Sequence, residues 1–278
     1  MTHPMPKTRL ARLIPHSRFW EIDALRGTAV ITMVAYHLMW DLRYFGVFPD
    51  VDLWSGFWMV VQRFTAVTFI ALVGVSLTLV YRRSRAAQGT QSGLYWQYFR
   101  RGLKIFGLGM LITLVVRAAG IGYVDFGILH LIGFSIMIAY PFLRFTWLNL
   151  GIALVFFAAG GLVAQWRFDG FWFTPQIGSW IGIPTWIGGW LIPFGVAPTR
   201  YLAVDYFPIL PWFGVVLVGI WFGNWFYAGS RWMFTLPDWG DRLPVKWLDT
   251  LGRNSLVLYL IHQPLLLAGL ASLGMIKW

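Results

Sequence analysis

The stretch that most restricts this chain is WEIDALRGTAVITMVAYHLMWDL, residues 20–42. It is long and apolar enough to enter a bilayer as a helix, and it carries Asp23, Arg26, His37 and Asp41. An ionisable side chain at membrane depth costs several kcal/mol, so it persists there where it pairs or works. Arg26 and His37 stand eleven positions apart. At the helical rise that is about 16 Å, near one face, with one group at the membrane edge and the other deep. Asp41 lies one turn beyond His37 on the same face.

The rest of the chain has the same character. Of its 278 residues 58% are hydrophobic and only 12% charged, the composition of a polytopic membrane protein. Seven apolar segments approach the ~20 residues that cross the hydrocarbon core: 22–42, 57–80, 102–119, 127–144, 147–165, 208–227 and 253–273. Strand alternation is absent, and lipid offers open backbone groups no partners, so the expected fold is an all-α transmembrane bundle of about seven spans. Residues 1–19 form a basic cytoplasmic tail without an apolar core, unlike a cleavable signal peptide. Residues 20–278 are expected to form a single transmembrane domain. The Gly- and Pro-broken GSWIGIPTWIGGWLIPFG, 178–195, reads as a re-entrant or interfacial segment, and a crossing there would change the last two spans' orientation.

Lys and Arg fall 16 to one set of segment ends and 6 to the other. The positive-inside rule then places the N-terminus in the cytoplasm and, with seven spans, the C-terminus outside. The net charge of +11 fits this rule and attraction to anionic lipid, with no aromatic–basic motif for nucleic acid. The absence of Cys removes disulfides, a thiol nucleophile and cysteine-ligated clusters, and no metal is expected.

The candidate chemistry lies in the histidines and intramembrane charges. A carboxylate at Asp41 can fix the tautomer of His37 and leave it able to take a proton from a hydroxyl or amine; a structural histidine is the plain alternative. Arg26 is either a fixed cation for a phosphate or the partner of Asp23 three residues earlier. His130 begins the fourth span. Tyr259, His262 and Gln263 share a turn that Pro264 weakens by removing a backbone donor. Asp205 precedes the sixth span and is expected either to orient an acceptor or to pair with Arg63 in the second. Arg253 and Asn254 are expected to open the last helix, whose N-terminus can hold phosphate. The outer Trp166, Trp172, Trp180, Trp186 and Trp190 suit stacking on sugars as well as interfacial anchoring.

Several of these strings resemble a known family. ALRGTAVITMVAYH is similar to the signature of the transmembrane acyltransferase superfamily, in whose acyltransferase 3 branch an arginine precedes a histidine by eleven positions in the first helix. GILHLIG (127–133), DYFPILPWFG (205–214) and LGRNSLVLYLIHQP (251–264) resemble bacterial members of the heparan-alpha-glucosaminide N-acetyltransferase branch, as does the opening D-x-x-R-G at Asp23. The resemblance implies an integral-membrane acyltransferase of the bacterial inner membrane. It would move an acetyl group from cytoplasmic acetyl-CoA to a glycan or other cell-envelope hydroxyl or amine. His37 would be the general base, tuned by Asp41, and His130, a further catalytic-site residue, or Asp205 would position the acceptor. Arg26, Arg253 and Asn254 would hold donor phosphate, and Asp205, Arg63, Tyr259, His262 and Gln263 would bind the acceptor. In the family's lysosomal member the position of His37 holds asparagine and the working histidine lies in the next lumenal loop. Here that loop, RYFGVFPDVDLWSG, has none, so the base is assigned to His37.

Partners expected are acyl-CoA, the acceptor and the bilayer, with homo-oligomerisation left open and nucleic acid excluded. Two other classes compete. A proton-coupled transporter of a small anion would use the same intramembrane His, Asp and Arg, although no repeated half is visible. A b-haem electron carrier would need two of His37, His130 and His262 as axial ligands.

Overall fold

The computed structural model describes residues 19–88, 93–120, 122, 124–164, 166–169, 172–175, 189–198, 201, 203–227 and 239–276. The basic tail up to residue 18, and residues 178–188 of the proposed re-entrant segment, lie outside them. The fold is an all-α bundle. Its helices are α1 (Trp20–Tyr44), α2 (Gly56–Gln88), α3 (Leu94–Ala118), α4 (Ile128–Ile138), α5 (Trp147–Val163), α6 (Ile209–Phe226), α7 (Leu243–Arg253) and α8 (Ser255–Ser272). A small sheet accompanies them: β1 (Trp166–Asp169) pairs antiparallel with β2 (Trp172–Pro175) and parallel with β3 (Ala197–Pro198).

Among the described residues, three helices are long and apolar enough to cross a membrane: Gly56–Arg85 of α2, α6 and α8. α4 and α5 are shorter apolar helices. α1 and α3 have 25 residues each, and ionisable residues interrupt their apolar stretches.

Two elements differ from the sequence reading. The fourth segment, expected over 127–144, is helical only to Ile138, and a 3-10 turn follows at Tyr140–Phe142. Pro141 explains the stop: it has no N–H to give and disfavours helix at the residue before it. The last segment, expected from 253, is two helices. They break at Asn254 (φ −98°, ψ 13°), so Arg253 ends α7 rather than opening the final helix. The reading overlooked α7 because its apolar residues Leu243, Trp247 and Leu251 recur every turn among charges and are too few to span.

The chain forms two compact units: residues 1–72 with 234–278, and 73–233. α2 contributes residues to both. In the first unit α7 packs along α1 through glycines. A Cβ on Gly27 would stand 2.0 Å from the Leu248 carbonyl oxygen, and one on Gly252 1.8 Å from that of Asp23. The two contacts run in opposite directions along the helices, so α1 and α7 are antiparallel and nearly backbone to backbone. Small residues at such contacts let membrane helices approach closely. Thr32 and Thr65 share a hydrogen bond of 2.7 Å between α1 and α2.

The second unit uses the same device. Gly74 of α2 lies against the Val216 backbone of α6, Gly102 of α3 against Gly133 of α4, and Gly160 of α5 against Pro211 of α6. Arg82 closes the end of α6, donating to the carbonyls of Asn224 (3.0 Å) and Tyr227 (3.1 Å) and to the Asn224 side chain (3.0 Å). A cation at the carbonyl end of a helix satisfies orphan acceptors and opposes the helix dipole. The Asn224 amide in turn donates to the carbonyls of Leu143 (3.1 Å) and Phe145 (2.7 Å).

Candidate active site

The first unit gathers most of the candidate residues. His37 Nδ1 lies 2.9 Å from the carbonyl oxygen of Met33, one turn back on α1. A carbonyl only accepts, so Nδ1 carries the proton and Nε2 of the neutral ring keeps its lone pair. The tautomer is thus fixed by Met33, not by Asp41 as the i,i+4 spacing suggested. Asp41 is fully buried (0% exposed), and its Oδ1 accepts a 2.6 Å hydrogen bond from the Gln263 amide of α8. Its Oδ2 and Gln263 Oε1 are buried without a partner.

His262 meets His37 across α1 and α8, their ring centroids 4.8 Å apart and the planes at 76°. It is 9% exposed and is held in the same way as His37: Nδ1 donates to the Tyr259 carbonyl at 2.7 Å, and Nε2 is buried with no partner. The Tyr259 ring stands 5.8 Å from it. Pro264 lies inside α8 directly after this cluster and, having no N–H, gives no helical hydrogen bond to the Leu260 carbonyl, while the helix continues to Ser272. Two imidazoles in edge contact leave no space for a porphyrin between them, so these two histidines are not axial ligands of one haem.

Toward the start of α1, Asp23 collects two arginines. Arg26 Nη1 bonds Asp23 Oδ1 at 2.7 Å, and Arg253 Nε lies 4.0 Å from Oδ2. Arg253 also pairs with Asp249 one turn earlier on α7. The plain reading of Arg26, as the partner of Asp23, is therefore realised. The same contact brings Arg253 beside it, which the sequence suggested only as a shared end of the molecule. Their side chains remain 21% and 45% exposed. Asn254 turns its amide back onto the Thr250 carbonyl at 2.9 Å. Asp249 was missed. Its signal was the Asp–Arg spacing of four within a run that did not read as a span.

The remaining candidates have other occupations. His130, in the second unit, is 1% exposed. Its Nδ1 accepts from the Gly127 N–H at 3.1 Å, and Nε2 faces the Thr113 hydroxyl at 3.5 Å. With Phe106 and Phe126 on its flanks, it caps α4 and has no free nitrogen lone pair. Asp205 accepts from the Ile128 N–H at 3.1 Å, a second cap on the same helix. A Cβ at Gly127 would stand 2.1 Å from Asp205 Oδ2, which is why glycine occupies that turn. Arg63 is exposed on α2 and forms no ion pair with a described residue. Its long stem lets the charge reach the interface. Trp190 is 76% exposed; Trp180 and Trp186, and the side chains of Trp166 and Trp172, lie outside what the structure describes.

Comparison with known proteins adds one match. The catalytic-domain profile of heparan-alpha-glucosaminide N-acetyltransferase covers residues 18–264, from just before α1 to Pro264. Searches of curated proteins and of solved structures return no match. The matched stretch holds every residue of the His37–Asp41–His262–Gln263 cluster and of the Asp23 arginine cluster. With its apolar helices, the chain is an integral membrane protein that belongs to the heparan-alpha-glucosaminide N-acetyltransferase catalytic family, a family of membrane acetyltransferases.

Proposed function

We propose that the protein transfers an acetyl group from acetyl-CoA to a hydroxyl or amine of a glycan or other cell-envelope acceptor, with His37 as general base. One observation carries this reading. Met33 holds the proton of His37 on Nδ1, which leaves Nε2 as the basic nitrogen beside a buried polar cluster. In the reaction the acceptor oxygen or nitrogen attacks the thioester carbonyl. Its proton passes to His37 Nε2, the new ester or amide forms, and the thiolate of coenzyme A departs.

Arg26 and Arg253 hold the donor phosphates, exchanging one carboxylate partner for a phosphate. Their partial exposure and shared contact with Asp23 support that role, since guanidinium groups bind phosphate in a fork. The ~16 Å between Arg26 and His37 along α1 matches the reach of a pantetheine arm. Tyr259 and Gln263 face the acceptor, and Asp41, anchored by Gln263, supplies fixed negative charge. The geometry favours no chemical role for His130, Asp205 or Arg63. The proposed setting is a bacterial inner membrane with the Asp23 end in the cytoplasm, so the donor need not be exported.

The test is acetyl-CoA binding and transfer by detergent-purified protein, with wild type, Arg26→Ala and His37→Ala compared. Binding weakened by Arg26→Ala, together with a His37→Ala protein that binds and does not turn over, is expected. A folded His37→Ala protein that keeps full transfer would sink the assignment.

A further inference from the structure

We propose that His262 is a second catalytic histidine, the general acid that protonates the departing thiolate while His37 takes the acceptor's proton. The inference rests on the acyl-transfer reading above and adds a role to the same site.

Three observations carry it. First, His262 is built as the counterpart of His37. Each ring gives its Nδ1 proton to a backbone carbonyl on its own helix, Tyr259 for His262 and Met33 for His37. This leaves one free position per ring, and the free position on His262, Nε2, is buried with no partner. A buried polar atom left unpaired costs free energy, and a native protein that keeps one commonly uses it. Second, the rings are in edge contact at 4.8 Å, so two imidazolium ions would repel strongly and the pair is suited to a single labile proton. Third, Asp41 is fully buried with Oδ2 unpaired, and its other oxygen is held by Gln263, the residue next to His262. A buried carboxylate is stabilised by a positive charge in the same cluster, and a single proton carried by the imidazole pair, whose His37 stands one turn from Asp41, is such a charge.

The proton account closes. Before reaction the pair holds one extra proton, on His262 Nε2, and His37 Nε2 is free. The acceptor's X–H bond breaks as its lone pair attacks the thioester carbonyl, and that proton goes to His37. The C–S bond breaks, and the sulfur takes the proton of His262. The products are the acetylated acceptor and the free thiol. The proton now on His37 passes to His262 and restores the starting state. No oxidant or further reactant is needed.

The experiment compares two acyl donors. Acetyl-CoA leaves as a basic thiolate that gains from an acid. Para-nitrophenyl thioacetate leaves as a weakly basic thiolate that does not. Transfer to glucosamine and to glycerol is measured with wild type, His262→Asn, His262→Gln and His37→Asn. His262→Asn keeps a donor for the Tyr259 carbonyl and removes the titrating nitrogen, and His262→Gln guards against a variant that fails to fold. The expected result is a fall in kcat with acetyl-CoA of roughly 100- to 10,000-fold for the His262 variants, KM little changed. With the activated donor their deficit nearly vanishes, whereas His37→Asn stays impaired with both donors. An equal loss with both donors makes His262 structural and overturns the proposal, as does no loss at all. If wild type transfers from neither donor, the acyl-transfer reading falls and takes this one with it.

Discussion

Asp41 has one anchor, the 2.6 Å bond from Gln263. Replacing Gln263 with Met keeps most of the volume and leaves the buried carboxylate without its donor. The expected cost is about 1–3 kcal/mol, the penalty for orphaning a buried polar group, read as a lower midpoint in thermal unfolding of the detergent-solubilised protein. An unchanged midpoint would mean that Asp41 finds another donor. In the loop that follows α1, hydrogen bonds from the Ser55 hydroxyl and then the Trp54 N–H hold the Asp52 carboxyl below its ordinary range. A depressed value in the fold contributes stability above the unfolded carboxylate value, and that contribution is lost as pH falls through the folded one. Ser55→Ala should therefore move the Asp52 titration upward, measured by carbon NMR of a selectively labelled carboxylate. The sequence made His37 and Arg26 visible because each lies on one helix with its neighbours. It could not show that Gln263, 222 positions away, takes the place beside Asp41, nor that a backbone carbonyl orients His37. Spacing rules reach one or two turns, and both contacts lie beyond what side-chain periodicity encodes.

Among the helices, the antiparallel contact of α1 and α7 is the least forgiving. Gly252→Ala drives a methyl group into the Asp23 carbonyl, so α7 must shift and Arg253 must leave Asp23. A loss of about 1–3 kcal/mol is expected, as for other overpacked contacts. Gly107→Ala on α3 meets nothing within 4 Å and should leave stability unchanged or slightly raised. Side-by-side melting curves of the two variants check the pair. The Arg82 cap gives a second case. Arg82→Met removes three hydrogen bonds at the end of α6, with an expected cost of about 2–4 kcal/mol if the carbonyls stay dry. Helix existence was legible from hydropathy, since long apolar runs have few alternatives in a bilayer. Helix ends were not: the fourth segment was read to residue 144, past the local breaker Pro141, and the turn at Asn254 depends on α7 having α1 to pack against.

At the scale of the molecule, the positive-inside count makes a prediction that the chain itself is well suited to test. It contains no cysteine, so a single introduced thiol reports alone. Phe48→Cys and Trp96→Cys are both at exposed positions, 48% and 56%. In intact cells a membrane-impermeant maleimide should label the first and spare the second; the reverse pattern would invert the proposed orientation. The bundle class and the family were readable from composition and four motifs, because these survive without knowing any contact. The two-unit division was not, since it depends on which glycines meet which backbones. One such long-range contact also sets a timetable. The first turn of α4 is closed by Asp205, 77 residues downstream of Ile128. While the ribosome is still threading that interval, the nascent helix has only His130 to cover its leading amides. A chain released before Asp205 emerges would present that end of α4 unfinished to the insertion machinery and to membrane proteases.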